Sequence, residues 1–144
     1  MSNNEKTATG RCQCGAISYS VTGPLREVLA CHCSQCRRAT GSYFMATNAA
    51  AGDLAIADQG GALTWFRDPT GDWAERGFCA RCGSNLFWRA NGSGTVSITA
   101  GTLDQPSGVQ VAAHIFVADK GDYYSIDDGL PQHPGSTGGA VPES

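Results

Sequence analysis

The seven cysteines fall into three groups: Cys12-Gln13-Cys14, Cys31-His32-Cys33-Ser34-Gln35-Cys36 and Cys79-Ala80-Arg81-Cys82. An odd number cannot all pair internally, and a reducing compartment keeps thiols free. A disulfide framework therefore explains the set less well than metal ligation or thiol chemistry. The first and last groups are each followed by glycine, Gly15 and Gly83, which permits the tight backbone that aims two sulfurs at one point. Two such knuckles make a four-thiolate site from Cys12, Cys14, Cys79 and Cys82. Zinc suits it, because four thiolates in tetrahedral array satisfy a soft-tolerant ion with a filled d shell. A metal there ties an early hairpin to a strand far along the chain and contributes directly to folding free energy. Inert burial is a common fate of single thiols, but it fits two close pairs with trailing glycines poorly. A thioredoxin-like role for Cys79 and Cys82 needs a βαβ context that the surrounding short strands do not provide.

Cys31, Cys33 and Cys36 are left over. A catalytic zinc keeps three protein ligands and leaves its fourth position to water or substrate. The spacing suits such a site, with Cys31 and Cys33 on one face of a strand end and Cys36 on the first turn of a following helix. His32 then points the other way and reads as a supporting or structural residue rather than a ligand. The alternative is a second structural site completed by a fourth ligand such as His114. Three thiolates leave a dication formally anionic, a poor centre for making hydroxide but a suitable one for holding an incoming thiol as reactive thiolate. Arg37, Arg38 and the amino end of the helix are placed to offset the negative charge. A solvated surface accounts for Arg38 equally well. Zinc deaminases use comparable ligand sets but require an H-x-E pattern and a P-C-x-x-C pattern. Neither occurs, since the histidines stand in "CHCS", "AHIF" and "QHPG".

The rest of the chain reads as one mainly β domain. At 144 residues and 41% hydrophobic content it is long enough to bury a core without staples. Its 19 glycines mark many turns and short strands. Ile17, Tyr19 and Val21 alternate onto one side of a strand closed by Gly23-Pro24, with "REVLAC" as its antiparallel hairpin partner. Ser34 is placed to N-cap a short helix ending at Thr40, with Gly41 as its stop. "SYFMATN", "ALTWFR", "DWAERGFC", "NLFWRA", "TVSITA" and "VQVAAHIFV" supply further strands, the second and third joined through a "DPTG" turn. Residues 1–9 and 135–144 read as flexible tails around a zinc domain of residues 10–134. A net charge of -3 argues against nucleic acid as a partner. The polar start and the lack of a long apolar run predict a cytoplasmic protein with no membrane segment.

"GRCQCGAISYSV", "CHCSQCRRATGS", "FCARCGSNLFW", "GTLD" and "HIFVADKGDYYSIDDGLPQHPG" resemble, in this order, the glutathione-dependent formaldehyde-activating enzyme family, which also includes proteins like centromere protein V. The resemblance runs from about Gly10 to Pro134. It implies a β-tent of short antiparallel strands with two zinc sites, one structural at Cys12, Cys14, Cys79 and Cys82 and one catalytic at Cys31, Cys33 and Cys36. It also implies a carbon-sulfur lyase that condenses glutathione with formaldehyde to S-(hydroxymethyl)glutathione. Arg37 and Ser42 belong to the motif and are expected at the active site, with Ser42, His32 and His114 as candidate proton donors or polar lining. Phe44, Trp65, Phe87 and Trp88 are expected to build core rather than pocket. The runner-up reading is a non-catalytic zinc scaffold for a protein partner.

Overall fold

The computed structural model describes residues 6–67, 69, 71 and 73–137. Ten strands and one α-helix occur among them, with three short 3-10 turns. Strands β1 (Lys6–Arg11), β2 (Ser18–Thr22) and β5 (Leu54–Ala57) form an antiparallel sheet in the order β1-β2-β5. A larger sheet holds β3 (Val28–Cys31), β4 (Phe44–Ala50), β6 (Leu63–Arg67), β7 (Ala74–Cys79), β8 (Asn85–Ala90), β9 (Thr95–Thr99) and β10 (Val111–Ile115). Its order is β10-β3-β4-β9-β8-β7-β6. Every pairing is antiparallel except β10 with β3.

The main core lies where the two sheets face each other. Ile17, Tyr19 and Val21 are buried against Leu86, Phe87, Val96 and Ile98, and each fully buried large side chain contributes about 1.5–3 kcal/mol. Tyr19 meets Phe87 edge to face, with centroids 5.4 Å apart, and shares a 2.7 Å hydrogen bond with Thr102 Oγ1. The alternation expected for this strand is therefore observed. The other face of the larger sheet is concave. Side chains two positions apart share a face of a strand, and Phe44, Ala46 and Asn48 of β4, with Trp88 and Ala90 of β8, line the cavity described below.

Two expectations about strands are corrected. "REVLAC" is not the hairpin partner of β2, because both edges of β2 are taken by β1 and β5. Strand β3 instead lies inside the larger sheet, paired along one edge with β4 and along the other with β10, and its run Val28, Leu29 and Ala30 is buried. Residues 6–9, expected as tail, are part of β1, although the segment is nearly devoid of large apolar side chains. At the other end, Gly135 accepts a 2.8 Å bond from Phe116 N–H and Thr137 is buried. The remaining tail positions, 1–5 and 138–144, and Asp68 and Thr70 of the expected turn lie outside the described residues.

Helix α1 (Ser34–Thr40) spans the expected residues and ends at Gly41, whose φ of 88° is the left-handed conformation that glycine adopts without penalty. The N-cap is Cys33 rather than Ser34. Its sulfur accepts a 3.3 Å hydrogen bond from Cys36 N–H. Among the described residues, no helix is long and apolar enough to cross a membrane.

Candidate metal centres and active-site cavity

The two knuckles are built alike. Gly15 N–H bonds to Cys12 O at 3.2 Å and Gly83 N–H to Cys79 O at 2.7 Å, and the glycines take φ of 81° and 79°, values that side-chain-bearing residues rarely adopt. Folding of the smaller sheet onto the larger brings the pairs together, and the four Sγ atoms lie within 4.8 Å of one another. The separations are 3.7 Å for Cys12 and Cys14 and 3.8 Å for Cys14 and Cys79. A tetrahedral ion with metal–sulfur bonds of about 2.3 Å has sulfur–sulfur edges of about 3.8 Å, whereas a disulfide bond is about 2.05 Å long. The cluster thus has the dimensions of a metal site. Cys82 is partly exposed, and the Ser84 hydroxyl beside it lowers its pKa to about 5, which favours the thiolate that a metal requires.

The Sγ atoms of Cys31, Cys33 and Cys36 also lie within 4.8 Å of one another. Among the described residues, no histidine or carboxylate joins them. Hydrogen bonds from the thiols of Cys31 and Cys36, and from the backbone at Cys36 and Gln35, pull the pKa of Cys33 far down. Cys31, the donor toward Cys33, moves up. The N-terminus of α1 therefore stabilises negative charge on sulfur. A guanidinium adds to this: Arg76 Nη2, from β7, donates to Cys36 Sγ at 3.2 Å. The same group lies 5.2 Å from the Phe44 ring centroid, and its Nη1 is buried without a hydrogen-bond partner.

This cluster opens on a cavity of about 530 Å³ whose walls include Leu29, Phe44, Trp73, Trp88, Ile115 and Phe116. The four-thiol cluster does not touch it. One thiol cluster brings together residues from the two sheets, and the other borders a space large enough for a small molecule. A family model described as glutathione-dependent formaldehyde-activating enzyme matches residues 7–119. The chain belongs to that family. A crystal structure of a Rhodobacter sphaeroides protein aligns at TM-score 0.58 and 22% identity, covering 87% of this chain and 98% of that one, a likeness of fold. No curated protein matches the chain.

Within this member of the formaldehyde-activating family, the expected site residues separate. All seven cysteines fall into the two expected clusters. Arg37 and Ser42 do not line the cavity. Arg37 has its Nε buried without a partner and lies toward Tyr124. Ser42 is exposed and bonds through its backbone to Thr40 Oγ1. Arg76 occupies the place beside the sulfurs that sequence reasoning gave to Arg37. The available signal was alternation in β7: Gly77 and Cys79 face the core, so Arg76 faces the opposite side, toward Cys36. Phe87 and Trp65 pack in or against the core as expected, whereas Phe44 and Trp88 line the cavity.

Neither histidine reaches the cavity. His32 is fully buried on the far side of the cysteine strand, its Nδ1 2.6 Å from Tyr124 Oη and its Nε2 2.9 Å from His114 Nδ1. His114 Nε2 in turn lies 2.7 Å from Asp128 Oδ2. Both nitrogens of His114 are thereby engaged, so it is not the fourth ligand that the sequence left open. Desolvation, then the nearby charges of His114 and Lys120, lower the His32 pKa to about 4. Tyr124 and Asp128 belong to a segment beyond the matched residues, which runs beside β10 through bonds between His114 N–H and Pro131 O and between His133 N–H and His114 O, each 2.9 Å.

Proposed function

We propose that the protein is a zinc-dependent carbon-sulfur lyase that joins a small thiol, glutathione in the first instance, to formaldehyde or a related aldehyde. Cys12, Cys14, Cys79 and Cys82 hold the structural zinc in this reading, and Cys31, Cys33 and Cys36 hold the catalytic one. The observation that carries it is the three-thiol cluster, joined by no fourth ligand among the described residues, set in the wall of a cavity and contacted by one arginine. Zinc bound there would supply a coordination position at which a thiol is held as its nucleophilic thiolate.

The chain's own groups do the rest. Arg76 and the N–H groups of α1 offset the negative charge that accumulates on the sulfurs. Apolar walls keep bulk water from the carbonyl carbon and strengthen those charge interactions. In the reaction the thiol sulfur supplies the pair for the new C–S bond, the carbonyl π pair moves to oxygen, and oxygen gains the proton that the thiol gives up. We assign Arg76 Nη1, a buried donor with no other partner, to the oxygen on which charge develops. The hydroxyls of Ser34, Ser93, Thr95 and Ser97 also border the cavity and are available to relay the proton, with Gln35 and Asn48 as hydrogen-bonding groups, replacing His32, His114 and Ser42 in that role.

Uncatalysed addition of thiols to formaldehyde is fast, so an end-point assay carries no information. Exchange of labelled formaldehyde with its glutathione adduct, followed by NMR at fixed pH, separates the cases. Wild type is expected to exceed both Cys33→Ser and a protein-free control. Equal rates in all three would remove the enzyme reading and leave a zinc scaffold.

A further inference from the structure

The cavity is far larger than formaldehyde needs. That molecule has two heavy atoms, comparable with one or two waters of about 30 Å³ each, against a space of about 530 Å³. The wall chemistry matters more than the volume. Trp73 and Trp88 meet edge to face with centroids 5.5 Å apart, while Phe44, Phe116, Leu29 and Ile115 complete an apolar lining. Phe116 is held at φ 55°, a left-handed conformation that a bulky residue adopts at a cost, with its N–H fixed to Gly135 O.

Glutathione carries two carboxylates and an ammonium at neutral pH, whereas the polar groups on these walls, Ser34, Gln35, Asn48, Ser93, Thr95 and Ser97, are neutral and the charged ones are few. Arg26 gives Nε to Glu27 O and Nη2 to Ala46 O, and Arg76 gives Nη2 to Cys36 Sγ and has only Nη1 left, the donor assigned above to the carbonyl oxygen. The third charged residue of the wall, Asp119, is an acid. A surface of this kind desolvates cheaply around an uncharged ring and expensively around a carboxylate.

Resting on the lyase reading, we propose that the carbonyl substrate is an aldehyde bearing an uncharged aryl or similarly bulky apolar group, which the Trp73–Trp88 wall receives while the reacting carbon lies at the Cys31, Cys33 and Cys36 cluster. The bonds formed and broken are those of the formaldehyde addition: C–S is made, the carbonyl π pair goes to oxygen, and the thiol proton ends on that oxygen. No oxidant or reductant is needed.

The test compares propanal with 3-phenylpropanal, whose carbonyl groups have similar intrinsic reactivity and which differ by one ring. Adduct exchange with glutathione is followed by NMR on the zinc-loaded full chain, with formaldehyde and glyoxylate alongside. The phenyl compound is expected to be favoured in kcat/KM by about tenfold or more, the effect of burying one ring. In Trp73→Ala, a change at a half-exposed position that spares the core, the preference shrinks several-fold; Trp88→Leu gives a second reading. Equal rates for the two alkyl aldehydes, or a preference for glyoxylate, overturn the proposal.

If no aldehyde, formaldehyde included, exchanges faster with wild type than with Cys33→Ser, it is the lyase reading that fails. The wall is then judged by tryptophan fluorescence with S-(3-phenylpropyl)glutathione and S-propylglutathione. Tighter binding of the phenyl thioether by about tenfold, reduced in Trp73→Ala, supports the aryl site. Equal affinity overturns it.

Discussion

Loss of the four-thiol cluster should cost far more stability than loss of the three-thiol cluster, and the difference can be worked from the chain. Cys14 and Cys79 are 65 residues apart, so a metal held between the knuckles closes a long loop. The chain-entropy relation for a cross-link of that span gives about 4 kcal/mol. Cys31 and Cys36 are only five positions apart. Since each doubling of loop length adds about 0.6 kcal/mol, the shorter closure gains roughly 2 kcal/mol less. Cys82→Ser should therefore lower Tm by roughly 8–16 °C, at about 2–4 °C per kcal/mol for a chain of this size. Cys33→Ser should cost roughly 4–8 °C less. The assay is thermal unfolding by circular dichroism, with bound metal counted by mass spectrometry in each variant and a chelator added to wild type. Two outcomes would refute the reasoning: a Cys82→Ser protein that keeps both its metal and its Tm, or equal losses for both variants, which would mean two structural sites.

Three further outcomes are expected. Arg76→Met removes the guanidinium beside Cys36 and should slow adduct exchange by about a hundredfold, with a smaller loss in Arg37→Met; the reverse order would return the charge-offsetting role to Arg37. Gly10→Ala places a Cβ 2.5 Å from Thr102 O and against the Tyr19 ring, and should destabilise by about 1–3 kcal/mol in a urea titration. Asp128→Asn should be less stable than wild type at neutral pH, with the gap closing in acid. The hydrogen bond to His114 lowers the Asp128 pKa in the folded state, so its contribution is present above the usual carboxylate range and is lost as pH falls through the folded value.

The parts of this molecule that were legible in the sequence are those set by local chemistry. Gly15 and Gly83 announce the tight backbone at the two cysteine pairs, and the gathering of Cys12, Cys14, Cys79 and Cys82 into one cluster was legible for that reason. Gly41 announced the end of α1 in the same way. The illegible parts depend on which strands become neighbours. Nothing in "REVLAC" says that β3 lies in the larger sheet, because its partners come from residues 44–50 and 111–115. Strand β1 was missed because residues 6–11 lack the apolar alternation by which strands are recognised, their pairing resting on main-chain bonds to β2.

Arg76 shows why the surroundings of the three-thiol cluster were harder to read than the cysteines themselves. Sulfur ligands cluster in sequence because a knuckle is a single turn, so their spacing survives in the primary structure. The charge that complements them has no such constraint. A guanidinium on a long side chain can reach a thiolate from any strand whose outward face borders the site, and β7 is separated from α1 by more than thirty residues. Arg37, adjacent in sequence, is turned away by the helix: one residue on from Cys36 is a rotation of about 100°, which carries it toward Tyr124 and away from the cavity. Proximity to a ligand along a helix thus argues against contact with the same metal face, and the residue that offsets the charge of a thiolate cluster is better sought on strands that pack across it.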